Sequence, residues 1–168
     1  MPDSGTISPT RADHVLRSLG GRIKLIVDAG PCAIGLESTI VTVEHAQVRL
    51  LRPGPIAIET IAETIGLGIG GASTHIEAPG QLSQHYAPSK PLRLNATEAR
   101  NREWLIGFGP VAGDVSLSPQ GDLAEAAARL FDLLHAADAG AAQRLAVAPI
   151  PVTGLGVAIN DRLQRAAA

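Results

Sequence analysis

Three positions in this sequence join a residue type to a setting that suits a small anionic ligand. Thr10 follows Ser8-Pro9, which reads as a helix start with Ser8 as the N-cap and Pro9 at the first helical position. That places Thr10 in a first turn, where free N–H groups and the positive end of the helix dipole favour a phosphate. Ser38 opens the run Ser38–Val43 and Arg52 closes the run Gln47–Arg52, both rich in β-branched or aliphatic residues, with only Glu44-His45-Ala46 between them. Pairing Val43 with Gln47 predicts a hairpin in which Ser38 lies opposite Arg52, so one bound molecule could touch the hydroxyl and the guanidinium together. Tyr86, the single tyrosine, stands in a polar, turn-rich stretch with no apolar stripe to explain it as core.

The remaining reactive side chains suggest less. His85 reads as a structural hydrogen-bonding histidine, and His14, His45, His75 and His135 form no group at ligand spacing, so no metal site is expected. Cys32 is the single cysteine, which rules out an internal disulfide and a Cys-rich zinc site and agrees with a reducing compartment. Gly154-Leu155-Gly156 lacks the third glycine of a phosphate loop and reads as a tight strand-to-helix turn.

Composition narrows the ligand class. A formal net charge of -2 over 168 residues is the wrong sign for a protein that grips a nucleic-acid backbone. Trp104, Phe108, Phe131 and Tyr86 are the complete aromatic set, too few for a base-stacking platform, so a small-molecule substrate is expected and direct tRNA binding is not. Apolar runs are short and broken by Gly, Pro or charge, so no membrane span is expected and a cytoplasmic setting is the default.

These residues need elements to hold them. Ala12, Val15, Leu16 and Leu19 give one face of a helix that Gly20-Gly21 ends, and Ile23–Asp28 is a strand candidate. After the hairpin, Ile58, Ile61, Ala62 and Ile65 form a second stripe ending at Gly66. The stretch from Gly66 to Pro91 turns to Gly, Ser, Pro and His without periodicity and reads as a linker, with Pro91–Ala168 expected to fold as a separate unit that makes few contacts across Gly66–Lys90. Beyond it, strand candidates at Pro91–Leu94, Trp104–Phe108, Val115–Leu117 and Leu145–Ala148 alternate with helices at Asp122–Ala137 and around Leu155, Ile159 and Leu163. Asp122 with Glu125 is a capping pair, and the alternation predicts a small α/β domain with a largely parallel sheet.

Four segments in order carry a resemblance: Ser4-Gly5 with Ser8-Pro9-Thr10-x-Ala12-x-His14-Val15, then Gly35-x-Glu37-Ser38-Thr39-Ile40-Val41, then Leu51-Arg52-Pro53-Gly54, then Pro79-Gly80 with His85-Tyr86-Ala87-Pro88. Together with Gly154-Leu155-Gly156-x-Ala158-Ile159-Asn160-Asp161-Arg162-Leu163 they resemble the YrdC-like L-threonylcarbamoyladenylate synthases in their long, two-domain form. The resemblance implies an α/β fold: residues 1–66 as the C-terminal part of a YrdC-like domain, 67–90 as a linker, and 91–168 as the added α/β domain. It implies a nucleotidyltransferase that joins L-threonine, bicarbonate and ATP, carried with Mg2+, into threonylcarbamoyl-AMP and pyrophosphate. The product feeds the tRNA threonylcarbamoyl transferase machinery. Carried over by motif, Thr10, Arg52 and Tyr86 would bind ATP, with Tyr86 closing over the nucleotide, and Ser38 would bind L-threonine. No protein nucleophile is needed, because orienting and neutralising charge does most of the work in such a transfer. Glu37 reads equally as a buttress of the substrate turn and as a solvated or salt-bridged carboxylate.

The family's Lys-x-Arg and Ser-x-Asn elements are not found in these residues. Met1 and Pro2 stand at the last two positions of the Ser-x-Asn slot, and a proline cannot replace an asparagine amide. Two expectations follow: the C-terminal part of a synthase, inactive alone, or a non-catalytic module that binds a nucleotide or a partner chain.

Overall fold

The computed structural model describes residues 5–71, 77–80, 82 and 85–168. In chain order the elements are α1 (Ala12–Leu19), β1 (Ile40–Glu44), β2 (Gln47–Arg52), α2 (Ile58–Ile65), β3 (Gly68–Ile69), β4 (Leu92–Arg93), β5 (Glu103–Gly107), β6 (Val115–Ser116), α3 (Leu123–Ala139), β7 (Arg144–Val147) and α4 (Leu155–Ala166). They form a three-stranded sheet, β1-β2-β3, and a four-stranded sheet, β4-β7-β5-β6.

The C-terminal sheet is parallel at every pairing, as expected for strands alternating with helices. Ile106, Leu145 and Val147 pack with Leu130, Phe131 and Leu134 of α3 and Ile159 and Leu163 of α4 in one buried cluster. Alternate residues Leu105 and Ala146 face the other side and meet Ala96. Half of the expected capping pair forms: the Asp122 carboxylate accepts from the N–H groups of Ala124 and Glu125, whereas the Asp122 N–H donates to the Ser118 hydroxyl and the Glu125 carboxylate turns to Arg129.

Three local expectations fail for identifiable reasons. The hairpin turns on two residues, His45 and Ala46, both at positive φ (50° and 57°), so Glu44 pairs with Gln47 and the register lies one step from the expected one. A two-residue turn of this hand matches the twist of its strands. An irregularity between Ile40 and Val41 then brings Ile40, not Ser38, opposite Arg52. Ile23–Asp28 forms no strand among the described residues, and Leu25 and Val27 stand 76% and 84% exposed, because strand propensity cannot act without a neighbouring strand. Ser8 does not cap α1; Arg11 occupies the N-cap position without a side-chain bond. The Thr10 carbonyl accepts from the Cys32 N–H (2.9 Å) and the Thr10 N–H donates to His14 Nδ1 (3.3 Å), so Thr10 lies before the helix and not in its first turn.

Residues 67–90 are well tied down where described. β3 pairs parallel with β2. Ser89 and the Lys90 N–H bond the Asp138 carboxylate, while Lys90 Nζ donates to the carbonyls of Ala137 and Gly140 at the end of α3. The expected scarcity of contacts is therefore not found.

Candidate functional site

Arg52 ends β2 with only 8% of its surface exposed. Its Nε and Nη2 donate to the Ser38 carbonyl at 3.2 and 2.9 Å, Nη2 also reaches the Ser38 hydroxyl at 3.4 Å, and Nη1 donates to the Pro79 carbonyl at 3.3 Å. Among the described residues no carboxylate pairs with it. A buried guanidinium held only by carbonyl and hydroxyl oxygens keeps its charge uncompensated, which suits an incoming anion. Ser38 and Arg52 are thus together as expected, but the long arginine side chain joins them, not the strand register. Gly54 makes the approach possible: a Cβ there would lie 2.3 Å from the Thr39 nitrogen.

Tyr86 sits at φ 64° and is 1% exposed. Its ring packs against Phe131 (5.5 Å) and His85 (4.0 Å), with the Arg162 guanidinium 5.2 Å from the ring centre. The reading of Tyr86 as standing apart from any core is corrected: its ring belongs to the main apolar cluster. Its hydroxyl points toward Gly80 and Arg52. Burial and the Glu37 charge push the phenol above its ordinary value, against the pull of Arg162 and Arg52.

Sequence reasoning missed the role of Arg162 on α4, which is 1% exposed. It donates to the Glu37 carboxylate (2.9 Å), the Pro53 carbonyl (2.9 Å) and the Asp161 carboxylate (2.7 Å). Ser8 donates to the other Glu37 oxygen. Burial raises the Glu37 carboxyl, but the Ser8 and Arg162 bonds outweigh it and hold the group below the usual carboxylate range. Of its two open readings, the salt-bridged carboxylate is the one seen, with Arg162 as the partner. Nothing in the helical spacing of Arg162 set it apart from a surface arginine.

Thr10 is 6% exposed, and among the described residues its hydroxyl finds no hydrogen-bond partner. It lines a cavity of about 310 Å³ with Ser8, Glu37, Cys32 and Phe131. A larger cavity of about 590 Å³ runs along His14, Arg17, Ser89 and His135 and does not include Ser38 or Arg52. The His85 ring nitrogen Nδ1 is buried and has no partner among the described residues; its backbone N–H donates to the Arg165 carbonyl. Among the described residues no three His, Cys, Asp or Glu side chains are grouped to hold a metal ion. His75 and Ser4 lie outside the described residues.

A family profile described as the C-terminal domain of threonylcarbamoyl-AMP synthase matches residues 56–168. The chain belongs to the threonylcarbamoyl-AMP synthase family. A second profile, described as telomere recombination, matches residues 1–54. The chain is 34% identical to the threonylcarbamoyl-AMP synthase of Bacillus subtilis, covering 98% of this chain and 54% of that protein. It is 30% identical to that of Pyrococcus abyssi, covering 97% and 55%. The crystal structure of P. abyssi Sua5 complexed with L-threonine superposes with a TM-score of 0.80 at 29% identity, over 98% of this chain and 55% of that one. A histidine-and-tyrosine-to-alanine variant of P. abyssi Sua5, at 24% identity and a TM-score of 0.71, shares the fold. The chain spans about half the length of the curated family members it matches. No helix among the described residues is long and apolar enough to cross a membrane.

Proposed function

We propose that these residues form part of a threonylcarbamoyl-AMP synthase site, with Arg52 on the nucleotide phosphates, Thr10 and Tyr86 on ATP, and Ser38 on L-threonine. The observation that carries the reading is Arg52, buried without a carboxylate and bonded to Ser38. The L-threonine complex of P. abyssi Sua5 supports a small amino-acid substrate. In the proposed reaction the threonine amine and bicarbonate condense to a carbamate with loss of water. A carbamate oxygen attacks the α-phosphorus, the bond to the β-phosphate oxygen breaks, and pyrophosphate leaves. Charge accumulates on phosphate oxygens, so a preorganised guanidinium and hydroxyls would lower the barrier without a protein nucleophile. Mg2+ would arrive on the ATP phosphates. Delivery to a tRNA-modifying transferase in the cytoplasm, and the division into residues 1–66, 67–90 and 91–168, belong to the same proposal.

The 168 residues taken alone contain no Lys-x-Arg and Ser-x-Asn elements, each of which would supply charge-assisted bonds worth roughly 1.5–3 kcal/mol. We expect binding without turnover at enzyme rates. Calorimetric titration of the chain with L-threonine and with ATP plus Mg2+ tests this, with pyrophosphate release followed in parallel. Expected are binding of both ligands, near-background pyrophosphate, and an at least tenfold loss of ATP affinity in Arg52→Ala, about what one charge-assisted bond supplies. ATP binding that survives Arg52→Ala unchanged would point instead to a non-catalytic module using another surface.

A further inference from the structure

The open end of the β1–β2 hairpin is where Ser38 and Arg52 meet, and past the ladder its flanks are joined from within by Thr39, whose hydroxyl donates to the Ile56 carbonyl (2.7 Å) and accepts from the Ile56 N–H (3.1 Å). The strand pairing is irregular between Ile40 and Val41, and the ladder stops at Ile40 opposite Arg52. Beyond that point Glu37 and Ser38 precede one strand while Pro53 and Gly54 follow the other. A side chain from outside the hairpin also bridges them. Arg162, projecting from α4 some hundred residues later in the sequence, donates through Nε to the Glu37 carboxylate and through Nη2 to the Pro53 carbonyl, both at 2.9 Å.

The same guanidinium lies over the Tyr86 ring, whose hydroxyl is beside Arg52. The two arginines therefore divide the work. Arg52 takes the residue after Glu37, through the Ser38 carbonyl. Arg162 takes the residue after Arg52, through the Pro53 carbonyl, and Tyr86 separates the two cations. Arg162 is compensated by Glu37 and Asp161, so it is not itself an anion site. Asp161 also engages Arg165, which donates to the Leu82 carbonyl, so the hold extends to the stretch before Tyr86.

We propose that Arg162 is a positioning residue for the Ser38–Arg52 site: it staples the two sides of the hairpin's open end from the last helix. Substrate affinity is thereby coupled to the docking of α4. The proposal rests on the reading of that site as the substrate site, and the experiment separates the two.

Amide hydrogen exchange on the ligand-free 168-residue chain compares the open end, residues 38–40, 54 and 56, with the turn end, residues 43–48. The variants are Arg162→Met, Arg162→Lys, Glu37→Gln and the Arg162→Met/Glu37→Gln double. Calorimetric titration with L-threonine accompanies it. Arg162→Met is expected to speed exchange at the open end by roughly tenfold or more relative to the turn end, and to weaken L-threonine by a similar factor. Lysine keeps the charge but lacks the fork that spans two acceptors, so Arg162→Lys should restore less than half of the lost protection, on a logarithmic scale. The double variant should add little to Arg162→Met.

Equal loss of protection at both ends would mean that Arg162 only stabilises the fold, and unchanged protection would mean that it does not hold the open end; either overturns the proposal. Should Arg162→Met fail to fold, Arg162→Lys decides by the same comparison of the two ends. If the parent chain binds no L-threonine, the substrate reading falls, while the exchange comparison still decides whether Arg162 staples the hairpin.

Discussion

A few ångströms around Gly80 leave no room for a side chain. Gly80 has φ 86°, and a Cβ there would meet Tyr86 Oη at 2.5 Å and Arg52 Cδ at 3.0 Å. Gly80→Ala should therefore destabilise the chain by about 1–2 kcal/mol from backbone strain alone, with a further loss from displacing Tyr86. Chemical denaturation checks the first effect and ATP titration the second; a variant with parental stability and affinity would show that Gly80 does not set the spacing. Glu37 is the titrating partner in this neighbourhood. Its folded pKa lies below the free value, so its contribution to stability is complete above the unfolded pKa and is lost as pH falls through the folded one.

Among elements, the hairpin and the α1–α3 contact make separate predictions. His45 and Ala46 both occupy positive φ, where side chains with a Cβ are strained and Asn-Gly is favoured. The double substitution His45→Asn/Ala46→Gly should raise stability by roughly 1 kcal/mol, read as a higher denaturant midpoint with an unchanged slope. At the second contact, His14 of α1 and His135 of α3 stack at 3.9 Å between ring centres. Burial lowers the pKa of both, and the His135 charge opposes that of His14, while Asp13 and Asp132 pull His14 the other way. With folded values below the ordinary 6.5, the unfolded chain binds more protons as pH falls. Stability from the pair is then present in full above 6.5 and lost below it. Denaturation midpoints measured across that range should fall toward acid, and His135→Phe, which keeps a flat ring without a proton, should flatten the slope.

At the scale of the whole chain, one apolar cluster runs from Ile7 through Tyr86 to the helices α3 and α4. Polar ties cross the same span: Glu37 to Arg162, Ser8 to His135, and Lys90 to the end of α3. The chain should therefore unfold in one transition, with Trp104 fluorescence and far-UV circular dichroism giving the same midpoint. Leu134→Ala, at a side chain 1% exposed, should lower that midpoint by the equivalent of about 2–5 kcal/mol in both signals. Two separated transitions would mean that residues 5–66 unfold independently of the C-terminal sheet.

Local rules carried much of this architecture. Periodicity located α2, α3, α4 and the four parallel strands, and Asp122 announced its cap, because amphipathic spacing and capping are properties of a few neighbouring residues. Motif order identified the family, and the hairpin pairing marked Ser38 and Arg52 as neighbours although its register was off. What needed the third dimension was pairing. Ile23–Asp28 has strand composition but no partner strand, the turn geometry at His45-Ala46 shifted the register by one, and the bonds to Cys32 and His14 moved Thr10 out of the helix. Tyr86 became core because its ring meets Phe131 of α3, and Arg162 became a staple because the last helix packs beside the hairpin's open end, the latter a contact between residues more than a hundred positions apart; no short-range pattern can encode either.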